Sequence, residues 1–332
     1  MNRKIFYFIS ILLYCSCQSE KKEVIYETIQ HQLLNDEFMT RMPGNLLVNE
    51  KYIVWEDPFA RDTFVNVHDR TTGQLLGKMG KVGEGPGEFI TGSMSGYSID
   101  NKVFAIDVNG TTKGYLSIDS LLAGKQPLQL LTVEEKESRP ALTEIEADVF
   151  FGTTEDGEED YFKANIHGKE STFGVYPVKE VKQHLGCEYA YDARTGHLVC
   201  SSFTLPYLAL YQKQGEKFVL KWEQAPKGGY KMQNERLVAD KGVRGSMDVS
   251  LTKDYIAVLA HDDKEELREA AQTTGRQESA LPHTLLLYDY NGNLLKVIEL
   301  GMRVLRIASD CSGNTLYAMG LNPEFALVKY EL

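Results

Sequence analysis

One segment decides the fold that the sequence indicates: Gly80-Lys81-Val82-Gly83-Glu84-Gly85-Pro86-Gly87-Glu88-Phe89. Four glycines and one proline in ten residues exclude a helix or a central strand here. The segment lies between strand-like runs at 74–79 and 98–107, so it is predicted to be a sharp connection from one small sheet to the next. We expect the glycines to supply positive φ angles, Pro86 to stiffen the turn, and Phe89 to fill the seam between the sheets.

A phosphate-binding loop is the other interpretation of such a segment, and the residues do not fit it. The lysine and hydroxyl residue that end a phosphate loop are missing, and no helix pattern follows. Glu84 and Glu88 would also repel a phosphate group. Residues 80–89, called the glycine segment below, are therefore predicted to be structural.

Runs of β-branched and aromatic residues, separated by polar turns, recur along the whole chain and predict strands. They group into units of about 45 to 55 residues, a period typical of repeat architectures. Six units fit the sequence, and the last has only three strands before the chain stops at Leu332. A chain of 332 residues is also longer than most single compact cores.

The missing strand of the last unit has a counterpart at the start of the chain. Residues 24–29 form a spare strand-like run, followed by a short helix pattern at 32–38. A ring of four-stranded blades closes when an N-terminal strand completes the last blade, which leaves only short edges. We therefore predict an all-β, six-bladed β-propeller over residues 24–332. An open solenoid, which needs polar caps, and two β-sandwiches are the alternatives.

The N-terminus is predicted to be a targeting segment. Arg3 and Lys4 precede a short apolar run, which is too short for a stable transmembrane helix. Ser16-Cys17 follows and resembles the lipobox of bacterial lipoproteins, although Tyr14 stands where a leucine is usual. We expect residues 1–16 to be a signal peptide, Cys17 to carry the lipid that binds the membrane, and residues 17–23 to be a tether. Cleavage without lipidation and an uncleaved anchor are the alternatives.

The net charge of −11 and the absence of a basic stripe indicate that nucleic acid is not a partner. Beyond Cys17 the chain has three cysteines, at 187, 200 and 311, so at least one thiol stays free. Cys187 and Cys200 flank a predicted hairpin and face each other only if its loop is 192–195. Their pairing stays open, and no cysteine pair has the spacing of a zinc site.

The glycine segment resembles the blade-linking motif of NHL-repeat propellers and, more closely, a TolB-like six-bladed propeller family of bacterial lipoproteins. Residues 118–122 and the turn at 288–293 are similar to that family as well. The resemblance covers nearly all of the mature chain and implies a propeller in the cell envelope, facing the periplasm or the cell surface. Members of the family are mostly of unassigned function, so the resemblance implies little chemistry.

The best candidate for chemistry lies around an insertion in the fifth unit, residues 262–281. His261 and His283 flank the insertion and would meet in space if the strands beside it pair, with Asp262 and Asp263 nearby. Such a group could bind a metal or transfer protons, but solvated loop residues are the simpler interpretation. The sequence predicts no cofactor and no metal site, since the spacing of a calcium loop is missing from both acidic runs.

Two classes of function remain. The first is a non-catalytic scaffold that binds a protein or a small molecule, displayed on a membrane by its lipid. The second is a hydrolase or lyase with a metal or an acid/base pair in the central funnel. A ring of polar residues on the inner strands would distinguish them, and those strands offer Asp100, Glu144, Glu146, Asp192, Asp248 and Arg306. They show no clear pattern, so we favour the binding scaffold, with loop 262–281 as a recognition element.

Overall fold

The computed structural model describes residues 23–131, 143–234, 236–261 and 281–332. Two strands come first in the chain, β1 (Ile25–Thr28) and β2 (Gln32–Asn35). The strands of the first blade follow: β3 (Leu46–Val48), β4 (Tyr52–Glu56), β5 (Thr63–Asp69) and β6 (Leu75–Lys81). The second blade contains β7 (Gly92–Ile99), β8 (Lys102–Asp107), β9 (Lys113–Ser117), the helix α1 (Ile118–Leu122) and β10 (Leu128–Leu130).

The third and fourth blades repeat the four-stranded pattern. The third contains β11 (Thr143–Glu146), β12 (Val149–Thr153), β13 (Phe162–Ile166) and β14 (Lys169–Phe173). The fourth contains β15 (Cys187–Asp192), β16 (His197–Ser202), β17 (Leu208–Gln214) and β18 (Lys217–Gln224). A separate two-stranded hairpin, which the sequence analysis did not predict, follows as β19 (Tyr230–Gln233) and β20 (Arg236–Ala239).

The last two blades complete the ring. The fifth contains β21 (Ser246–Leu251), β22 (Ile256–Ala260), β23 (Thr284–Tyr288) and β24 (Leu294–Glu299). The sixth contains β25 (Arg303–Ala308), β26 (Thr315–Leu321) and β27 (Phe325–Glu331). Its fourth strand comes from the N-terminus, so the six sheets form the predicted six-bladed β-propeller.

The strand that closes the ring is not the one predicted. Residues 24–29 were expected to complete the last blade, but β1 pairs in parallel with β24 and adds a fifth strand to the fifth blade. The next strand, β2, completes the sixth blade by antiparallel pairing with β27. The three residues between β1 and β2 form no turn, so the chain passes straight from one blade edge to the next.

The helix expected at 32–38 is also wrong, since residues 32–35 are strand β2. Helix propensity is a weak preference that tertiary context overrides. Here the free edge of β27 offers backbone hydrogen bonds along a whole strand, which seven residues of helix could not match.

Apolar side chains fill the seams between neighbouring blades. Phe64, Met79 and Val103 belong to one buried cluster that joins the first and second blades. Because a blade is covered on both faces, its middle strands read as continuous apolar runs; β22, Ile-Ala-Val-Leu-Ala, is an example. The described helix, α1, has five residues, and no helix in the described ranges is long and apolar enough to span a membrane.

The cysteine pairing that the sequence left open is present in the structure. The hairpin loop is 193–196 rather than 192–195, because Asp192 pairs with His197. Cys187 is therefore a diagonal neighbour of Cys200, not its direct partner, with Cα atoms 6.3 Å apart, and a disulfide joins them. Cys311 is free and buried.

Candidate functional site

The glycine segment forms a tight connection between β6 and β7. Gly80 has a φ of 77°, and a Cβ atom there would lie 2.4 Å from the ring of Phe64. Phe89 is fully buried, with its ring centroid 5.1 Å from that of Phe64. Glycine is thus required at position 80 by both backbone angle and space, and the segment ends in the seam between the first two blades.

One of the two glutamates of this segment, Glu88, forms its contacts within the turn. One carboxylate oxygen of Glu88 lies 2.5 Å from Lys81 Nζ, and the other accepts the Gly85 amide at 2.9 Å. The hydrogen bonds from Lys81 and Gly85 hold the pKa of Glu88 below its ordinary value. The amide of Gly83 donates to the Phe89 carbonyl at 3.0 Å, which closes the loop. The Glu88 carboxylate and the Gly83 amide therefore bond to other residues of the glycine segment and not to a ligand.

The two histidines of the candidate group lie at neighbouring strand ends. Ala260 pairs with Thr284, and His261 and His283 are the next residues beyond that pair. The aspartates at 262 and 263, and most of the insertion, lie outside the described residues. In the described ranges, no three histidine, cysteine, aspartate or glutamate side chains are grouped closely enough to hold a metal ion.

The inner strands of the blades enclose a central channel. Its cavity of about 1050 Å³ is lined by the inner strands of all six blades. Of the polar residues that the sequence placed on inner strands, three line the cavity: Asp192, Asp248 and Arg306. Glu188 also lines the cavity, although it is not among the residues predicted from the sequence. It lies on the same strand as Asp192, four residues before it. That spacing puts both side chains on one face of β15 and could have revealed it.

The remaining sequence candidates are not part of the channel lining. Asp100 lies in the turn between β7 and β8 with a φ of 50°. Glu144 accepts hydrogen bonds from the Tyr115 hydroxyl and from the Asp148 amide at 3.1 Å. Glu146 accepts from the hydroxyl of Tyr191 and lies 2.5 Å from Lys213 Nζ. These two glutamates thus connect strands.

Asp248 joins two inner strands at the channel wall. Its Oδ2 accepts the Ile307 amide at 2.9 Å and its Oδ1 accepts the Val249 amide at 2.8 Å. Burial raises the pKa of Asp248, while Arg306 and these two amides act in the opposite direction. Each carboxylate oxygen keeps a second lone pair, but the position of the carboxylate is fixed by the backbone.

Arg306 faces carboxylates on three sides. Its Nη1 lies 3.9 Å from Oε1 of Glu188, too far for a hydrogen bond, and its Nε donates to the Gly44 carbonyl at 3.3 Å. Glu56 faces it from β4 and is buried, accepting the Met94 amide at 2.6 Å. Burial raises the pKa of Glu56, against the hydrogen bonds that it accepts and the charge of Arg306.

Glu188 differs from these carboxylates because its side chain accepts no hydrogen bond from any described residue. Its side chain keeps 36% of its surface exposed, yet it is surrounded by channel walls, which exclude much of the solvent. Burial, followed by the charge of Asp248, raises the pKa of Glu188 to about 7, while Arg306 lowers it. A carboxyl group of this kind can bind a cation or exchange a proton near neutral pH.

Two arginines at the other end of the channel are paired with carboxylates. Arg70 contacts Asp310 at 2.5 Å and the Tyr317 hydroxyl at 2.8 Å. Arg194 lies 3.1 Å from the buried carboxylate of Asp192 and also donates to the Cys311 carbonyl. These contacts join the β5–β6 turn and the turn after β15 to the turn after β25, so they are structural.

The fold and the channel define the class of protein: a six-bladed β-propeller with a central cavity. No protein-family model and no curated protein matches the chain. A solved structure of regucalcin, a calcium-binding protein from Agrobacterium tumefaciens, is similar with a TM-score of 0.51 and 10% identity, over 93% of this chain and 96% of that one.

Two solved structures of Bacteroides proteins resemble this chain to about the same degree as regucalcin does. A member of the DUF4221 family from Bacteroides vulgatus has a TM-score of 0.54 and 11% identity, over 93% of this chain and 97% of that one. An exported protein from Bacteroides fragilis, described as putative, has a TM-score of 0.54 and 12% identity, over 89% and 87%. At such identities the likeness concerns the fold alone.

Proposed function

We propose that this protein is a lipid-anchored propeller of the cell envelope that binds a ligand in its central channel without converting it. The observation that carries the binding role is the cavity of about 1050 Å³, into which Glu188 presents a carboxylate that accepts no hydrogen bond from the described residues. Its anchoring is supported by the sequence around Ser16-Cys17. The resemblance to the TolB-like and NHL-like family of lipoproteins supports the anchoring as well.

The other carboxylates near the channel favour binding over catalysis. Asp248 and Glu56 are directed at backbone amides, at 2.8 Å, 2.9 Å and 2.6 Å. Catalytic acids and bases need a free face toward the substrate. Among the carboxylates around Arg306, the geometry leaves only Glu188 with that freedom, whereas a general acid and a general base acting together need two groups.

The lipid anchor is tested by substitution of Cys17. We expect Cys17→Ala to move the protein from the membrane fraction to the soluble fraction, because the lipid would have no attachment site. Cys15→Ala is the matched control: it removes the other cysteine of the same segment, and the protein should stay membrane-bound. A Cys17→Ala protein that still partitions into detergent like the parent would rule out the anchor.

The binding role is tested by ligand capture. The purified protein is incubated with a small-molecule extract of the cell envelope, and the retained compounds are identified by mass spectrometry. Thr111 is exposed and lines the channel, in the loop after β8, at the end where the inner strands begin. Thr111→Trp should narrow that entrance and abolish retention. Val108→Trp is the control, since Val108 is exposed in the same loop and does not line the channel.

Equal retention by the parent, Thr111→Trp and a second channel variant, Ala190→Trp, would contradict the binding role. Ala190 is half-buried, lines the channel, and lies two residues from Glu188 on the same face of β15. Melting curves of both variants establish that each is folded.

A hydrolase or lyase is the second candidate, and the pKa of about 7 for Glu188 favours it. In that case Glu188 would transfer a proton with Asp248 and Arg306 beside it. The same capture experiment distinguishes the two candidates. Recovery of the retained compound unchanged after prolonged incubation supports binding, and its conversion, lost in Glu188→Gln, supports the enzyme.

A further inference from the structure

We infer that the channel takes a small organic cation, whose ammonium group is held by the carboxylate of Glu188 beside Asp248. The inference deepens the proposed binding function and rests on it. Three independent features of the channel carry it: its balance of charges, the hydrogen bonds that its groups already make, and the apolar residues between them.

The charged residues that line the channel are mostly acidic. Six are acidic and three are basic, and they are Glu50, Asp107, Glu188, Asp192, Asp248, Asp310, Lys113, Arg194 and Arg306. The group around Glu188 contains two carboxylates and one guanidinium. With all three charged, the channel-lining residues Glu188, Asp248 and Arg306 carry one uncompensated negative charge, and an ionised Glu56 beside Arg306 would add a second. A ligand with a positive charge would offset this negative charge.

The hydrogen bonds direct the cation to Glu188. Its carboxylate has both oxygens available among the described residues, and the nearest nitrogen of Arg306 is 3.9 Å away. An ammonium group has three donors and could bond to Glu188 directly, while Asp248 supplies a further lone pair. An anion placed on Arg306 would instead face Glu188, Asp248 and the buried Glu56, which would repel it.

The walls around this group suit an organic ligand rather than a bare metal ion. Apolar side chains line the same cavity, among them Leu46, Ile145, Ala190, Val249 and Ile307. A calcium ion needs about six or more converging oxygens. Asp248 is instead fixed by two backbone amides, so an alkyl or aryl ammonium fits the mixture of groups better.

Binding of a cation should change the protonation of Glu188. The groups that face Glu188 are Asp248 from β21, Arg306 from β25 and the neighbouring Tyr189 on β15. A bound ammonium favours the ionised form of Glu188 and so lowers its pKa. Since burial and Asp248 raise that pKa in the protein without ligand, binding near pH 7 should release protons, and affinity should fall as the pH drops.

The test uses three compounds of similar size, namely cyclohexylmethylammonium, cyclohexylmethanol and cyclohexanecarboxylate, with calcium chloride as a metal probe. Isothermal titration calorimetry at pH 7 in two buffers of different ionisation enthalpy gives affinity and proton release. We expect the ammonium compound to bind best and to release protons. Glu188→Gln should weaken its binding by about tenfold or more, because a charge-assisted hydrogen bond is lost. Glu170→Gln should leave it unchanged, since Glu170 is an exposed acid on the outer strand β14 and does not line the channel.

Preferred binding of the alcohol or the carboxylate would overturn the inference, as would binding of calcium alone, binding of none of the four, or equal ammonium affinity in Glu188→Gln. The proposed function fails separately. In the capture experiment, the parent protein could retain a neutral or anionic compound that the Thr111→Trp variant does not retain. The channel would then be a binding site, and only the inference that its ligand is a cation would be wrong.

Discussion

Two glutamates a hundred residues apart show how position decides the role of a side chain. Glu88 accepts a backbone amide and contacts a lysine, so it stabilises a turn. The carboxylate of Glu188 accepts no hydrogen bond from the described residues and lines a cavity. The sequence predicts the first role because the partners of Glu88 are within seven residues of it. It does not predict the second, because Asp248 and Arg306 are 60 and 118 residues away along the chain.

The structural role of the glycine segment leads to a prediction for Phe89. Replacement of this buried ring by alanine should cost about 3 to 5 kcal/mol of unfolding free energy, because it leaves a cavity between two blades. The next residue, Ile90, is 49% exposed, and Ile90→Ala should change stability by about 0.5 kcal/mol at most. Denaturant titration measures both, and equal effects would contradict the buried seam.

At the scale of strands and helices, local sequence patterns predicted most strands whose pairing partner is the next strand in the sequence. The turns at Asp289–Asn293 and Asp69–Gly73 are closed by the first aspartate of each, as short hairpin turns require. The failures concern β1, β2 and the hairpin β19–β20. That hairpin is the exception among local pairings, because its two strands have only four residues each and are mostly exposed. The partners of β1 and β2 lie more than 250 residues away, and no local pattern records which free edge a strand will cover.

The revised closure makes the two N-terminal strands unequal. Removal of residues 17–30 takes away β1, which only extends the fifth blade, and should leave a stable monomer. Removal of 17–38 also takes away β2 and Phe38, whose ring lies 4.9 Å from that of Trp55. The edge of β27 would then be open, so this shorter protein should melt lower and aggregate. Light scattering and thermal melting compare the two, and equal behaviour would contradict closure by β2.

For the whole molecule, the count of strand-like runs was sufficient to predict the six-bladed ring. The final unit lacked one strand, and a closed ring requires that strand to come from elsewhere. The channel could not be predicted in the same way. Its lining combines residues from six units, and which of them remain available to a ligand depends on backbone amides that no sequence pattern specifies.

The central claim is that a ligand binds inside this channel next to Glu188. The most direct measurement is a crystal structure of the protein with cyclohexylmethylammonium bound. We expect its nitrogen within hydrogen-bonding distance of the Glu188 carboxylate and its ring against the apolar walls near Val249 and Ile307. Density for the compound on the outer surface of the blades, with none in the channel, would contradict the claim.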